Sequence, residues 1–200
     1  MYDYRKMTPA QRREAVEYRR LRERPWHSPP HWEFRGLLQF MISSACYEHK
    51  QIIGVTSERM TEYESALLDV CNRFATNVYA WCVLPNHYHL LVQTDRLKEL
   101  RAELGRLHGR TSFKWNGDDG LRGRQVWHNC RDSGIKSHRH FWAGVNYIHH
   151  NPVHHGYVEK WQDWPWSSAT DFVERVGRET ALKIWREYPV FDYGKTWDFD

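Results

Sequence analysis

Two alternating histidines, His87 and His89, stand in the segment Pro85-Asn86-His87-Tyr88-His89-Leu90-Leu91-Val92. On a strand, residues two apart project from the same face. The two imidazoles then sit side by side, while Tyr88, Leu90 and Val92 turn to the opposite face, toward a helix. Paired imidazoles at a strand start supply half of a metal site. Without a further ligand, they are equally the polar side of an amphipathic strand. A second group lies in Asn146-Tyr147-Ile148-His149-His150-Asn151-Pro152-Val153. There Tyr147 and Asn151 share one helix face, one turn apart. A phenol hydroxyl and an amide oxygen are presented together. The plainer alternative is a core tyrosine and an asparagine that ends its helix before proline.

The elements that must carry these residues are legible from pattern. Thr8-Pro9 opens a helix that runs to about Arg24, and the proline-rich residues 25–30 read as a linker. Residues 37–45 read as a strand. Met60, Tyr63, Leu67, Val70 and Phe74 recur at steps of three and four, the mark of an amphipathic helix. Residues 77–83 and 87–94 read as strands joined by a turn at Leu84-Pro85-Asn86. Leu97, Leu100, Leu104 and Leu107 mark a second helix, and residues 116–123 a loop. Residues 126–132 fit a fourth strand. Ser137 caps a third helix ending near Asn151-Pro152. One or two short helices follow in the last 35 or so residues. The order βαββαβα predicts an α+β sandwich of ferredoxin-like type, an antiparallel sheet with helices on one face. Three regions follow: a basic N-terminal helix and linker over 1–30, a catalytic domain over 31–170, and an aromatic helical tail over 171–200.

The chain of 200 residues is long enough to bury a real core, and its 15% aromatic content argues against disorder. No apolar run approaches a membrane span, and the N-terminus lacks a secretory signal, so the sequence reads as a soluble, cytoplasmic protein. Cys46, Cys71, Cys82 and Cys130 form no CxxC pair, which disfavours a thiolate zinc site and leaves four ordinary thiols. Charge is uneven: residues 1–40 are net +4 and residues 101–140 net +5, against +4 overall. Two basic blocks permit a polyanionic partner.

Taken together, the two motifs resemble those of the single-tyrosine HUH transposases, and above all the REP-associated tyrosine transposases. The family's PNHxHLLV pattern stands at Pro85–Val92, its YIxxNPV pattern at Tyr147–Val153, and its WPWSS signature at Trp164-Pro165-Trp166-Ser167-Ser168 after Asp163. The likeness spans roughly residues 37–170 in the right order. The chain departs from the family in two places: His154 replaces a frequent basic residue after NPV, which weakens a phosphate contact, and Tyr88 is bulkier than the usual valine, which demands room in the helix layer.

The resemblance implies an enzyme that cleaves and rejoins single-stranded DNA at palindromic, hairpin-forming repeats. Tyr147 would be the nucleophile, and His87, His89 and Asn151 would bind one divalent ion, Mg2+ or Mn2+. The product would be a 5′-phosphotyrosine and a free 3′-hydroxyl. A tyrosine with a pKa of about 10 needs a proton acceptor; His149 and His150 are candidates by proximity in the sequence. Arg106, Arg110, Lys114, Arg122, Arg124, Lys136 and Arg139 would contact backbone phosphates of a single strand or hairpin. The resemblance leaves monomer and homodimer both open. Two other readings compete: a catalytically silent DNA-binding descendant of a transposase, and a metal-dependent phosphodiesterase that hydrolyses and would tolerate Tyr147→Phe.

Overall fold

The computed structural model describes residues 38–190, together with Thr8 and Ala10. The expected N-terminal arginine helix and linker lie outside these residues, as does the end of the tail beyond 190.

Among the described residues there are four strands and five α-helices: β1 (Leu38–Ala45), α1 (Ser57–Phe74), β2 (Asn77–Val83), β3 (His87–Thr94), α2 (Leu97–Asp118), β4 (Arg131–Gly134), α3 (His138–His154), α4 (Ala169–Val176) and α5 (Arg178–Glu187). The sheet order is β2-β3-β1-β4, with every pair antiparallel. This is the ferredoxin-like α+β arrangement expected from the sequence.

Periodicity decides which face each element buries. On α1, Met60, Tyr63, Leu67 and Val70 are buried, and on α2, Leu100, Leu104 and Leu107. Both crossover helices cover the sheet face that carries Tyr88, as Tyr88 packs against Tyr63 of α1 and His108 of α2. α3 covers the other face, where Tyr147 meets His89 and Phe141 meets Tyr79. The expectation of helices on one face therefore holds for α1 and α2 but not for α3. Thr56 and Ser137 cap α1 and α3 by accepting from the N–H groups of Arg59 and His140 at 3.1 Å.

Three boundaries differ from the sequence pattern. α2 runs on to Asp118 and absorbs Asn116, which is buried and whose amide grips Arg124. The fourth strand is not 126–132 but Arg131–Gly134. Val126 and Trp127 are apolar because they enter the core; Trp127 makes only an isolated bridge to Cys46. α3 continues through Pro152 to His154. Proline this close to a helix end costs one hydrogen bond, and the final turn closes through the N–H of His155 on the Asn151 carbonyl.

Among the described residues no helix is long and apolar enough to cross a membrane. Cys46, Cys71 and Cys82 are buried, Cys130 is half-buried, and all four are free thiols.

Candidate active site

The site forms where the start of β3 meets the middle of α3. His87 and His89 leave β3 on the face that α3 covers, their rings 4.9 Å apart and nearly perpendicular. Across the strand pair, Ala45 faces His87 and Ser43 faces His89. Both β1 residues are small and half-buried. Tyr147 brings its hydroxyl to 3.5 Å from His89 Nε2, at the limit of a hydrogen bond. One turn later, Asn151 places Oδ1 3.1 Å from His87 Nε2. All four side chains are buried. The residues picked out by the two spacings therefore converge within one chain.

Burial also sets the protonation of the site. Loss of solvent, reinforced by His89 and His155, drives the pKa of His87 well below the usual imidazole value. The same desolvation, with His155 again adding to it, lowers His89 to about 3. At neutral pH both rings are uncharged, the form in which imidazole ligates metal.

The donor set fits one divalent ion. Among the described residues no three His, Cys, Asp or Glu side chains gather as a metal site, and the described oxygen that faces His87 Nε2 is Asn151 Oδ1. Asn151 could serve as a third ligand, and the buried Nδ2 of its amide has no hydrogen-bond partner. On ligand type the two imidazole nitrogens suit a transition ion such as zinc and the amide oxygen suits Mg2+ or Mn2+; the preference for the latter two comes from the family resemblance.

His149 and His150 do not face Tyr147. His149 Nε2 lies 3.2 Å from Ser168 Oγ, and its ring packs on Phe172 and Trp185. His150 meets the Trp185 ring edge-on and bonds back to the Asn146 carbonyl at 3.1 Å. His149, two residues along the helix, is turned some 200° away from Tyr147, and His150 is drawn off by Trp185 and the Asn146 carbonyl.

The Trp164–Ser168 signature is a strap along the edge of β2. Ser168 Oγ accepts from the Trp81 N–H at 2.9 Å, the Val83 N–H donates to the Trp166 carbonyl, and Trp164 Nε1 donates to the Val83 carbonyl. Because Ser168 also meets His149, the strap ties α3 to the sheet. The tail braces the same helix: Asn146 Nδ2 donates to the carbonyls of Trp185 and Tyr188 at 2.9 and 2.8 Å. These bonds join partners some forty positions apart, beyond the reach of a local sequence pattern.

The seven basic residues proposed for DNA are not alike. Arg110, Lys136 and Arg139 are exposed. Arg106 pairs with Glu103 and Lys114 with Glu62, both on the surface. Arg122 lies over the exposed Phe113 ring, 4.6 Å from its centre. Arg124 is half-buried and joins Arg59 on Asp119, whose carboxyl the two guanidinium groups hold down at about 2.

The family model described as IS200-like transposase matches residues 39–151, more than half of the chain. This protein belongs to the IS200-like transposases. A relative from Haemophilus influenzae, named for the REP-associated tyrosine transposases, is 31% identical over 153 residues, covering 64% of this chain and 82% of the relative. The REP-associated tyrosine transposase of Escherichia coli K12 is 28% identical over 151 residues, covering 70% and 78%. A solved REP-associated tyrosine transposase, bound to a REP hairpin, shares the fold, with a TM-score of 0.51, 20% identity, and 86% and 93% coverage. Membership makes this IS200-like chain one of a family of DNA-processing enzymes, and the matched segment contains His87, His89, Tyr147 and Asn151.

Proposed function

We propose that this transposase cleaves and rejoins single-stranded DNA at hairpin-forming palindromes through a 5′-phosphotyrosine on Tyr147. The observation that carries the reading is the meeting of the Tyr147 hydroxyl with His89 and of Asn151 with His87 inside one chain. His87, His89 and Asn151 would hold one Mg2+ or Mn2+. When bound, the ion polarises the phosphate and offsets charge developing on the departing oxygen. Burial keeps His89 neutral, so its one lone pair would serve the ion, and the proton of the Tyr147 hydroxyl would pass to solvent as the oxygen attacks. The Tyr147 oxygen forms the bond to phosphorus, the bond to the 3′-oxygen breaks, and that oxygen leaves as a 3′-hydroxyl after gaining a proton. A phosphotyrosine ester conserves the bond, so attack by a 3′-hydroxyl reverses the step without a nucleotide cofactor.

Because one chain supplies every group, the geometry favours cleavage without a second copy at the site, even in a homodimer. The exposed Arg110, Lys136 and Arg139, and the more weakly available Arg106, Lys114 and Arg122, offer phosphate contacts on both sides of the sheet. Arg124 is better assigned to its clamp on Asp119.

The test is incubation with end-labelled hairpin DNA from palindromes flanking the gene, in Mn2+ or EDTA, beside Tyr147→Phe. A metal-dependent, protease-sensitive adduct on the DNA 5′ end, absent from the variant, is expected. Cleavage surviving in the variant would indicate a hydrolase. Binding without adduct or cleavage would indicate a silent DNA-binding descendant.

A further inference from the structure

Asn86, the residue before the first histidine of the motif, is held at both ends of its side chain. Its Nδ2 donates to the His49 carbonyl at 3.1 Å, and its Oδ1 lies 2.7 Å from His87 Nδ1. The backbone around it is fixed as well. The Cys46 N–H donates to the Asn86 carbonyl at 2.7 Å, and the Gly54 N–H to the Pro85 carbonyl at 2.9 Å. A Cβ at Gly54 would fall 2.3 Å from Pro85 Cβ, so only glycine allows this approach.

These bonds leave one proton arrangement. A carbonyl only accepts, so the nitrogen end of the Asn86 amide must face His49 and the oxygen end must face His87. That oxygen also only accepts. His87 Nδ1 therefore carries the ring proton, and in the neutral ring Nε2 carries the lone pair. Nε2 is the nitrogen that faces Asn151 Oδ1 at 3.1 Å. Two acceptors are thus opposed. Rotating the Asn151 amide would relieve the opposition, and a cation ligated by both would relieve it too.

The His49 carbonyl reaches Asn86 because the chain turns through two left-handed residues, Glu48 at φ 55° and His49 at φ 50°. Neither is glycine, and side chains rarely adopt this region. The turn is held in place by the Glu48 N–H, which donates to His128 Nε2 at 3.2 Å. An unfavourable backbone conformation beside a site is retained where the surrounding structure over-determines it.

We propose that Asn86, oriented by the left-handed Glu48–His49 turn, is a positioning residue that fixes His87 in its Nδ1–H tautomer and keeps Nε2 deprotonated for ligation. The inference rests on the reading of His87 as a metal ligand, and gives the ligand the hydrogen-bonded support that metal-bound imidazoles generally have.

The experiment uses the full-length, metal-free protein. Nitrogen-15 spectra of its histidine rings at neutral pH, with His87 assigned by comparison with His87→Gln, report the tautomer. Mn2+ titration followed by electron paramagnetic resonance then reports affinity for wild type, Asn86→Ala and Asn86→Asp. We expect wild type to show a protonated Nδ1 and a bare Nε2. Asn86→Ala should mix the tautomers and weaken Mn2+ binding about 10–100-fold. Asn86→Asp keeps an acceptor against Nδ1 and should restore both the tautomer and most of the affinity. A merely structural role predicts the reverse for aspartate, which sets an oxygen against the His49 carbonyl and should be as damaging as alanine. A proton on Nε2 in wild type overturns the proposal whatever the variants do, and so does unchanged affinity in Asn86→Ala. Absence of Mn2+ binding by wild type overturns the ligand role itself. Failure of the transposase reading shows elsewhere, as a missing DNA adduct with the tautomer and Mn2+ binding intact.

Discussion

The two faces of β3 bury titratable groups side by side and treat them differently. On the helix-layer face, the Tyr88 hydroxyl meets His108 Nε2 at 3.2 Å, and the His108 ring stacks on Trp127 with centres 4.2 Å apart. Trp127 in turn donates Nε1 to Thr111 Oγ1 and packs on Tyr63 and Trp115. Burial lowers His108 to about 4, so this imidazole acts as a flat aromatic group with a satisfied nitrogen. On the α3 face, only one residue away, His87 and Asn151 turn acceptor-capable atoms toward each other, and Asn151 Nδ2 has no partner. One face pairs its histidine with a hydroxyl inside an aromatic cluster, while the other leaves two acceptor-capable atoms opposed. Burial alone does not distinguish the two, nor does a lone unpaired atom, since Tyr63 Oη in the helix layer also lacks a partner; the opposition of His87 Nε2 and Asn151 Oδ1 does.

That difference can be broken or sharpened by substitution, taken here in order of the expected change in stability. Trp127→Ala removes the ring around which Tyr63, His108 and Trp115 assemble. It should cost about 3–5 kcal/mol in urea unfolding. A loss under about 1 kcal/mol would mean that the cluster is not the structural face we describe. Ser168→Ala strips the strap of its bonds to Trp81 and His149 and should cost about 1–3 kcal/mol. Because His149 lies on α3, DNA adduct formation should slow along with it. Unchanged adduct kinetics would detach the strap from the site.

A pH series separates buried neutral histidines from exposed ones. In an unfolded chain a histidine gains its proton near a pH of about 6.5. Folded, His149 resists protonation down to about 3 and His108 down to about 4, both chiefly by desolvation. Between those values the unfolded chain binds more protons, so stability is full above the unfolded value and is lost as pH falls. The expected slope is about 1.4 kcal/mol per pH unit for each group. Unfolding at pH 7, 6 and 5 measures it, and His149→Gln should flatten it by one histidine's share.

Asn151→Leu fills the same volume without the amide. Stability should change by no more than about 1 kcal/mol, because the wild-type amide is poorly satisfied, while Mn2+ binding should fall steeply. A large loss of stability with metal binding intact would place Asn151 on the structural side of the comparison. Arg110→Ala should leave stability within about 0.5 kcal/mol. It should lower the salt dependence of hairpin binding by about one phosphate contact.

Much of this site was legible in the sequence because period fixes direction. The His-Tyr-His alternation put two imidazoles on one face and Tyr88 on the other, and the four-residue step put Tyr147 and Asn151 on one stripe of α3. The helix layer has the room that Tyr88 requires, supplied by Tyr63, His108 and Trp127. β4 was misplaced because Val126 and Trp127 look like strand residues, whereas Arg-Asp-Ser-Gly pairs with β1 through its backbone and carries no apolar alternation. The end of α3 was misplaced because Pro152 was read as a stop, although proline in a last turn removes a single bond. The role of Asn86 was hidden: it depends on a carbonyl 37 positions away, turned toward it by two left-handed residues that nothing in their composition announces. The bracing of α3 by Ser168 and Trp185 was likewise a matter of tertiary contact.

The most direct measurement maps the covalent product. After reaction with hairpin DNA and Mn2+, the protein is digested with nuclease and protease, and the nucleotide-bearing peptide is sequenced by mass spectrometry. The expected result is a single modified peptide with the nucleotide on Tyr147, formed only with metal. A nucleotide on any other residue, or cleaved DNA with no modified peptide, would contradict the assignment of Tyr147 as the nucleophile.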